Sequence, residues 1–199
     1  MLGGVFVTLE GPEGAGKSTL AAGLASRFRA SGRVVTLTRE PGSGELGKQV
    51  RQLVLHGSDM PPLTELFLFL ADRAHHVTTL IRPALARGDV VICDRYSDST
   101  VAYQGYARGL ELGMLRHLNR IATEGLEPDL TLLLDLPVEI GLGRVKDMDR
   151  LDQLDKFFHQ KVREGFLTEA GLQPSRWRVL DATGTAEQVL EAAWSLFQL

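Results

Sequence analysis

The sequence predicts an α/β protein with a five-stranded parallel sheet flanked by helices on both faces. Three observations predict it. Five short apolar runs recur, each ending in a polar or charged residue: Glu10, Arg39, Asp94, Asp135 and Asp181. Helical periodicity fills the intervals between them, so strand and helix alternate along the chain. The first run also leads into Gly11-Pro12-Glu13-Gly14-Ala15-Gly16-Lys17-Ser18. That stretch matches G-x-x-x-x-G-K-[ST], a loop found between a strand and a helix.

In chain order, Val5–Glu10 is the first strand; it is apolar on successive residues, as expected where both faces of a sheet are covered. A helix is predicted over Ser18–Ala30, then a strand over Val34–Arg39 and a helix over Leu46–Leu55. The helical pattern of Thr64–Arg87 is long and contains Pro83, which has no N–H to donate and should kink or end it. The third strand is Val90–Asp94. The following stretch, Tyr96–Gly109, shows no period and reads as a loop, as do Pro41–Gly44 and Gly57–Pro62. A helix over Leu110–Glu124, a strand over Leu130–Asp135 and a helix over Val138–Lys146 come next. After a polar zone over Lys146–Asp155, the chain closes with a helix over Leu154–Ala170, a strand over Trp177–Asp181 and a helix over Ala186–Phe197. No repeat or linker divides the 199 residues, so one domain spanning 1–199 is expected, with a lid segment at about 144–155 within it.

Composition narrows the class. Hydrophobic residues make up 44% and charged residues 24%, with a formal net charge of -3. That balance fits a globular domain and argues against a nucleic-acid binder, which carries clustered positive charge. The single cysteine, Cys93, excludes an internal disulfide, and its place in Val90–Cys93 reads as small-residue packing. No apolar stretch reaches the length of a membrane span, and Met1-Leu2-Gly3-Gly4 lacks the pattern of a signal peptide. A cytoplasmic enzyme with no membrane partner is expected.

The glycine-rich loop carries the first half of the chemistry. Its glycines let successive N–H groups turn inward on anionic oxygens, and the following helix N-terminus adds partial positive charge. Lys17 supplies a full charge near the β- and γ-phosphates of a nucleoside triphosphate, and the Ser18 hydroxyl is a Mg²⁺ ligand. Gly11, Pro12, Glu13, Gly14, Ala15, Gly16, Lys17, Ser18 and Thr19 are the candidate ATP-binding residues here.

The second half is an acceptor facing that loop. If the acceptor is a phosphate, arginines are the residues that fork onto it. Arg39 and Arg95 end the second and third strands, and Arg73 lies four residues after Phe69 on one helix face. By periodicity alone, Phe69 and Arg73 read as a core ring beside a surface arginine. Asp94, at the end of a buried strand, stands where a Mg²⁺-linked carboxylate is expected. The segment Arg144–Asp152 interleaves bases and acids without an apolar face and reads as a flap that brings a cation over the phosphates. His75 and His76 are adjacent on a helix, point apart, and read as surface residues rather than metal ligands.

Taken together, these segments resemble the thymidylate kinase family over essentially the full length. The carrying residues are the loop Gly11–Thr19, Thr38-Arg39-Glu40-Pro41-Gly42, Phe69-Leu70-Ala71-Asp72-Arg73, Asp94-Arg95-Tyr96, Ser99–Gly105, Pro128-Asp129-Leu130 with Leu134-Asp135, and Asp181-Ala182-Thr183. The resemblance implies a P-loop nucleoside monophosphate kinase fold. The implied activity is Mg²⁺- and ATP-dependent phosphorylation of dTMP to dTDP on the way to dTTP, by a homodimer. It implies that Phe69 stacks on thymine, that Arg73 bonds the base edge, and that Thr100 and Gln104 face the base. Tyr103 is implied to crowd the sugar 2′ position, Arg39 and Arg95 to clamp the dTMP phosphate, and Glu13 to lie near the acceptor nucleotide. Arg144, Asp181 and Thr183 fall where the family holds adenine, and Ser18 and Asp94 where it holds the metal.

One departure bears on catalysis. The loop has no basic residue before Lys17, and the flap is shorter and poorer in arginine than in bacterial relatives. The cation on the transferring phosphoryl is therefore expected from the flap: Arg150 first, Lys146 second. Lys17, Arg95, Asp94 and Arg150 form the expected catalytic set. The alternatives are a kinase for another nucleoside monophosphate or a deoxynucleoside, and a nucleotide-hydrolysing switch protein. The N-K-x-D motif of guanine-specific switches is absent from the sequence.

Overall fold

The computed structural model describes residues 3–197; Met1 and Leu2, part of the N-terminal stretch read for a targeting signal, lie outside the described residues. The strands are β1 (Val5–Glu10), β2 (Val35–Arg39), β3 (Val90–Asp94), β4 (Leu130–Asp135) and β5 (Trp177–Asp181). They pair in the order β2-β3-β1-β4-β5, every pair parallel. β1 is central; the connection leaving it runs past β3 to the edge strand β2, whereas the connection leaving β3 runs back past β1 to β4, so the chain departs from these two adjacent strands in opposite directions. A crevice therefore opens at the carboxyl ends of the strands, where such sheets bind ligands.

Alternation along the central strands explains the unbroken apolar runs. Val7, Leu9, Ile92, Leu132 and Leu134 point to a layer packed by α1 (Lys17–Ala30) and α9 (Ala186–Ser195). Phe6, Val91, Cys93 and Leu133 point to the opposite face, against the remaining helices. Both faces are dry, so both sets are apolar. The edge strands pay less attention to the rule: Leu37 on β2 and Val179 on β5 are exposed. No helix among the described residues is long and apolar enough to cross a membrane.

The remaining elements are α2 (Gly44–His56), α3 (Pro62–His76), α4 (Arg82–Ala86), α5 (Ser97–Thr100), α6 (Leu112–Ala122), α7 (Val138–Arg144) and α8 (Lys156–Leu172). The sequence reading needs correction at three places. The long helix expected over Thr64–Arg87 is α3 and α4 joined by a π-helical turn, Val77–Ile81. Pro83 cannot donate to the carbonyl four residues back, and the widened turn just before it absorbs the lost bond. Tyr96–Gly109 is not a loop: it holds α5 and a π-helical stretch, Val101–Ala107. Val101 to Gly105 are all buried, so the segment has no polar face and shows no period. Finally, His76 is not a surface residue. It is fully buried, with Nδ1 against Glu40 Oε1 at 2.9 Å and Nε2 against Thr38 Oγ1 at 2.8 Å, whereas His75 is exposed.

Candidate active site

The crevice is a cavity of about 490 Å³, the size of a small-molecule site. Its floor is the loop between β1 and α1. Gly11, Gly14 and Gly16 all have positive φ, at 143°, 67° and 89°. Gly14 is required twice over, since a Cβ there would lie 1.9 Å from the Gly141 carbonyl oxygen of α7. Gly141 is bound in turn, because its own Cβ would meet the Glu13 oxygen at 2.3 Å. The loop and the helix that leads into the lid therefore touch backbone to backbone. Lys17 Nζ curls onto the loop, donating to the oxygens of Gly11 (3.0 Å) and Pro12 (2.8 Å). Burial, reinforced by the charge of Arg95, brings its pKa down to about 8 against the opposing pull of Glu13 and Asp94.

Ser18 Oγ donates to Asp94 Oδ2 at 2.6 Å, so the two expected metal ligands are adjacent at the mouth of the loop. Among the described residues no group of three or more His, Cys, Asp or Glu side chains is arranged to hold a metal ion by itself. A hydroxyl and one carboxylate beside a phosphate cradle still fit Mg²⁺, which keeps several waters and takes substrate phosphates as ligands.

Arg95 lies across the cleft in the left-handed region, φ 68°. A buried carboxylate secures this turn: Glu10 accepts from the Tyr96 N–H (2.8 Å) and from Ser99 Oγ (2.6 Å), and Ser99 Oγ also accepts from Arg95 Nη1 (3.2 Å). Burial and the nearby Asp98 push the Glu10 carboxyl up to about 8. Arg95 Nη2 donates to Glu13 Oε1 at 2.7 Å, and Tyr103 donates to the same oxygen at 2.6 Å. Burial disfavours the Glu13 charge, but Arg95 and Lys17 outweigh it and hold its pKa at about 2. Glu13 thus belongs to the acceptor side of the loop. Arg39 is exposed at the cleft wall, and Arg51 of α2 joins it, donating to the Pro41 oxygen at 3.1 Å. Arg39, Arg51 and Arg95 make a concentrated positive wall opposite Lys17.

Arg73 is 2% exposed, which overturns the reading of a surface arginine. Its Nε donates to Glu40 Oε2 (2.8 Å), its Nη1 to Thr100 Oγ1 (2.8 Å) and Asn119 Oδ1 (2.6 Å), and its Nη2 to the Tyr96 oxygen (3.0 Å). Phe69, half-buried, lies on the same wall as Arg73, Thr100, Tyr103 and Gln104. On the far side of the loop, Arg144 donates to the oxygens of Ala182 (3.1 Å) and Thr183 (3.4 Å). Asp181 Oδ1 accepts from the Thr183 N–H and hydroxyl, closing a local turn there.

The lid differs from the expected flap without an apolar face. Residues 146–148 are exposed, but Leu151 is buried in the same cluster as Phe166 and Trp177, with Leu154 packed against it. Arg150 is fastened: its Nε donates to the Val54 oxygen at 2.9 Å and its Nη2 to Glu65 Oε2. It is not on the wall of the cleft, which the lid segment reaches with Arg144, Asp149 and Leu151. Glu10 was marked only as one of the five strand ends, and Arg51, Glu65 and Gly141 had no motif to mark them. Glycine inside an otherwise helical run was the available signal at Gly141.

The family model described as thymidylate kinase matches residues 9–193. The chain belongs to the thymidylate kinase family. The thymidylate kinase of Thermomicrobium roseum is 53% identical over 194 residues, covering 96% of this chain and 92% of that protein. That of Deinococcus radiodurans is 50% identical over 196 residues, covering 96% and 95%. The crystal structure of thymidylate kinase from Ehrlichia chaffeensis superposes with a TM-score of 0.85 at 31% identity, covering 98% of this chain and all of that one. The fold is accordingly that of the P-loop nucleoside monophosphate kinases.

Proposed function

We propose that this cleft transfers the γ-phosphoryl group of ATP to dTMP, giving dTDP and ADP, the activity of the thymidylate kinase family. The observation that carries the site assignment is the pair of anion cradles facing each other in one cavity. The glycine loop with Lys17 lies on one side, and Arg39, Arg51 and Arg95 lie on the other. The acceptor oxygen of a nucleoside monophosphate is already anionic, so positioning and charge neutralisation suffice and no strong base is needed. Ser18 and Asp94 would hold Mg²⁺, which would supply charge neutralisation on the phosphates. Gly11–Thr19 hold the ATP phosphates, and Arg144 with Asp181 and Thr183 flank the adenine. Phe69 stacks on the acceptor base, Arg73, Thr100 and Gln104 face its edge, and Tyr103 crowds the sugar, while Glu13 orients Arg95 until the acceptor phosphate takes its place. ADP formation with dTMP, dUMP, UMP, dCMP and thymidine at equal concentration tests this assignment. dTMP is expected to be the best acceptor; faster turnover of thymidine would remove the phosphate-clamp role of Arg39 and Arg95.

The engagement of Arg150 with Glu65 and Val54 favours Lys146 as the cation on the transferring phosphoryl. Lys146 is exposed at the head of the lid and forms no ion pair among the described residues. Arg150 then anchors the lid base. We also propose one domain over the whole chain, a cytoplasmic setting and a homodimer. The dimer reading follows from the family, and its candidate surface is α2 and α3, which pack together and expose Leu46, Leu53, Leu63 and Phe67.

A further inference from the structure

Glu65, on the first turn of α3, is fully buried, and three donors from other segments converge on it. Gln104 Nε2 reaches Oε1 at 2.9 Å, Arg108 Nη2 reaches Oε2 at 3.1 Å, and Arg150 Nη2 reaches the same Oε2. A carboxylate between two guanidinium groups accepts hydrogen bonds and has none to give. Gln104 can therefore meet it only with its NH₂, and its carbonyl oxygen is turned the other way. Gln104 also lines the cleft, as does Arg73. Four of the five Arg73 N–H groups are taken by protein partners, leaving one on Nη2. The wall that both residues line thus has one N–H donor and one amide oxygen left to offer. A thymine or uracil edge, with its O4 acceptor and N3–H donor, complements that pair. A cytosine edge, with an amino donor and a bare N3, opposes it at both positions. Reversing the carboxamide would reverse the preference at N3, and Glu65 forbids the reversal.

We propose that Glu65 is a positioning residue that fixes the Gln104 carboxamide with its oxygen toward the acceptor base, and thereby selects an imide pyrimidine edge over that of cytosine. The inference deepens the acceptor-site reading above and rests on it. Glu65→Gln, nearly isosteric and able to accept or donate, releases the carboxamide. The ratio of kcat/KM for dTMP to that for dCMP is expected to fall at least tenfold, with the KM for ATP unchanged. A general packing defect lowers both acceptors together and leaves the ratio alone. In a Gln104→Ala background, Glu65→Gln is expected to change the ratio no further. A ratio that Glu65→Gln leaves intact, or one it lowers equally without Gln104, overturns the proposal. A second measurement needs no folded Glu65 variant: in the wild-type protein without ligand, the Gln104 side-chain amide protons, identified by their loss in Gln104→Met, should be protected from exchange. Freely exchanging protons there also overturn it. If the wild-type enzyme itself shows no preference for dTMP over dCMP, the acceptor-site reading fails rather than the role of Glu65.

Discussion

Arg73, proposed to face the acceptor base, shows how much of such a residue's placement is done by its surroundings. Its guanidinium is held by Glu40, Thr100, Asn119 and the Tyr96 carbonyl before any ligand arrives, so its remaining N–H is aimed in advance. Glu40 in turn depends on it, being buried between Arg73 and His76. Arg73→Met strands that carboxylate, and urea unfolding at pH 7 should show a loss of roughly 3–5 kcal/mol as well as a raised KM for dTMP. Lys17 makes a pH prediction. With its pKa at about 8 in the empty site, the ammonium form dominates below that pH and is lost above it. Because kcat/KM reports ionisations of the free enzyme, kcat/KM for ATP should fall about tenfold per pH unit above pH 8. At saturating ATP, where the triphosphate favours the charged lysine, kcat should hold to higher pH. Parallel profiles for kcat and kcat/KM would contradict this.

At the scale of elements, the glycine loop packs backbone to backbone against α7, the helix that leads into the lid. Gly14 and Gly141 bring two backbones into contact where no side chain fits. Gly141→Ala, which pushes a methyl into the Glu13 carbonyl, should raise the KM for ATP tenfold or more while a thermal melt still shows a folded protein. The lid divides at Asp149. The head, 146–148, is exposed, while the base is held by Leu151 in the core and Arg150 on Glu65. Lys146→Met should therefore lower kcat by ~10²–10³, the scale of losing a phosphoryl-stabilising cation. Arg150→Ala should act chiefly on the acceptor KM through Glu65. Single-turnover measurements separate the two. A kcat loss confined to the Arg150 variant returns the catalytic role to that residue.

For the whole molecule, the exposed apolar side chains of α2 and α3 are adjacent to the cleft, because the same helices carry Arg51, Phe69 and Arg73 on their inner faces. Phe67→Glu places a charge in that surface. If it is a dimer seam, light scattering at micromolar concentration should shift from twice the chain mass to the chain mass; a wild-type protein already at 21.8 kDa would exclude the homodimer. The five strands, their parallel order and the glycine loop were legible in the chain because each is local: a run of apolar residues, a helical period, a spacing of glycines around Lys17. So were Arg39, Arg95 and Asp94, which sit at strand ends that the topology must bring to one edge. Periodicity misjudged Arg73 and His76. A polar residue inside an apolar helix is expected at the surface unless a partner waits within, and Glu40, their partner, comes from a different strand end. It also missed the π-helical stretch at Val101–Ala107, which has no wet face to set a period, and the fastening of Arg150, which needs a carboxylate 85 residues away in sequence. The sequence by itself determined the fold and the phosphate cradle, since local pattern and backbone freedom encode both. Only the tertiary structure decided which buried charges pair, and with that which way Gln104 and Arg73 face and which lid cation stays free, because pairing energy depends on distances that no spacing along the chain records.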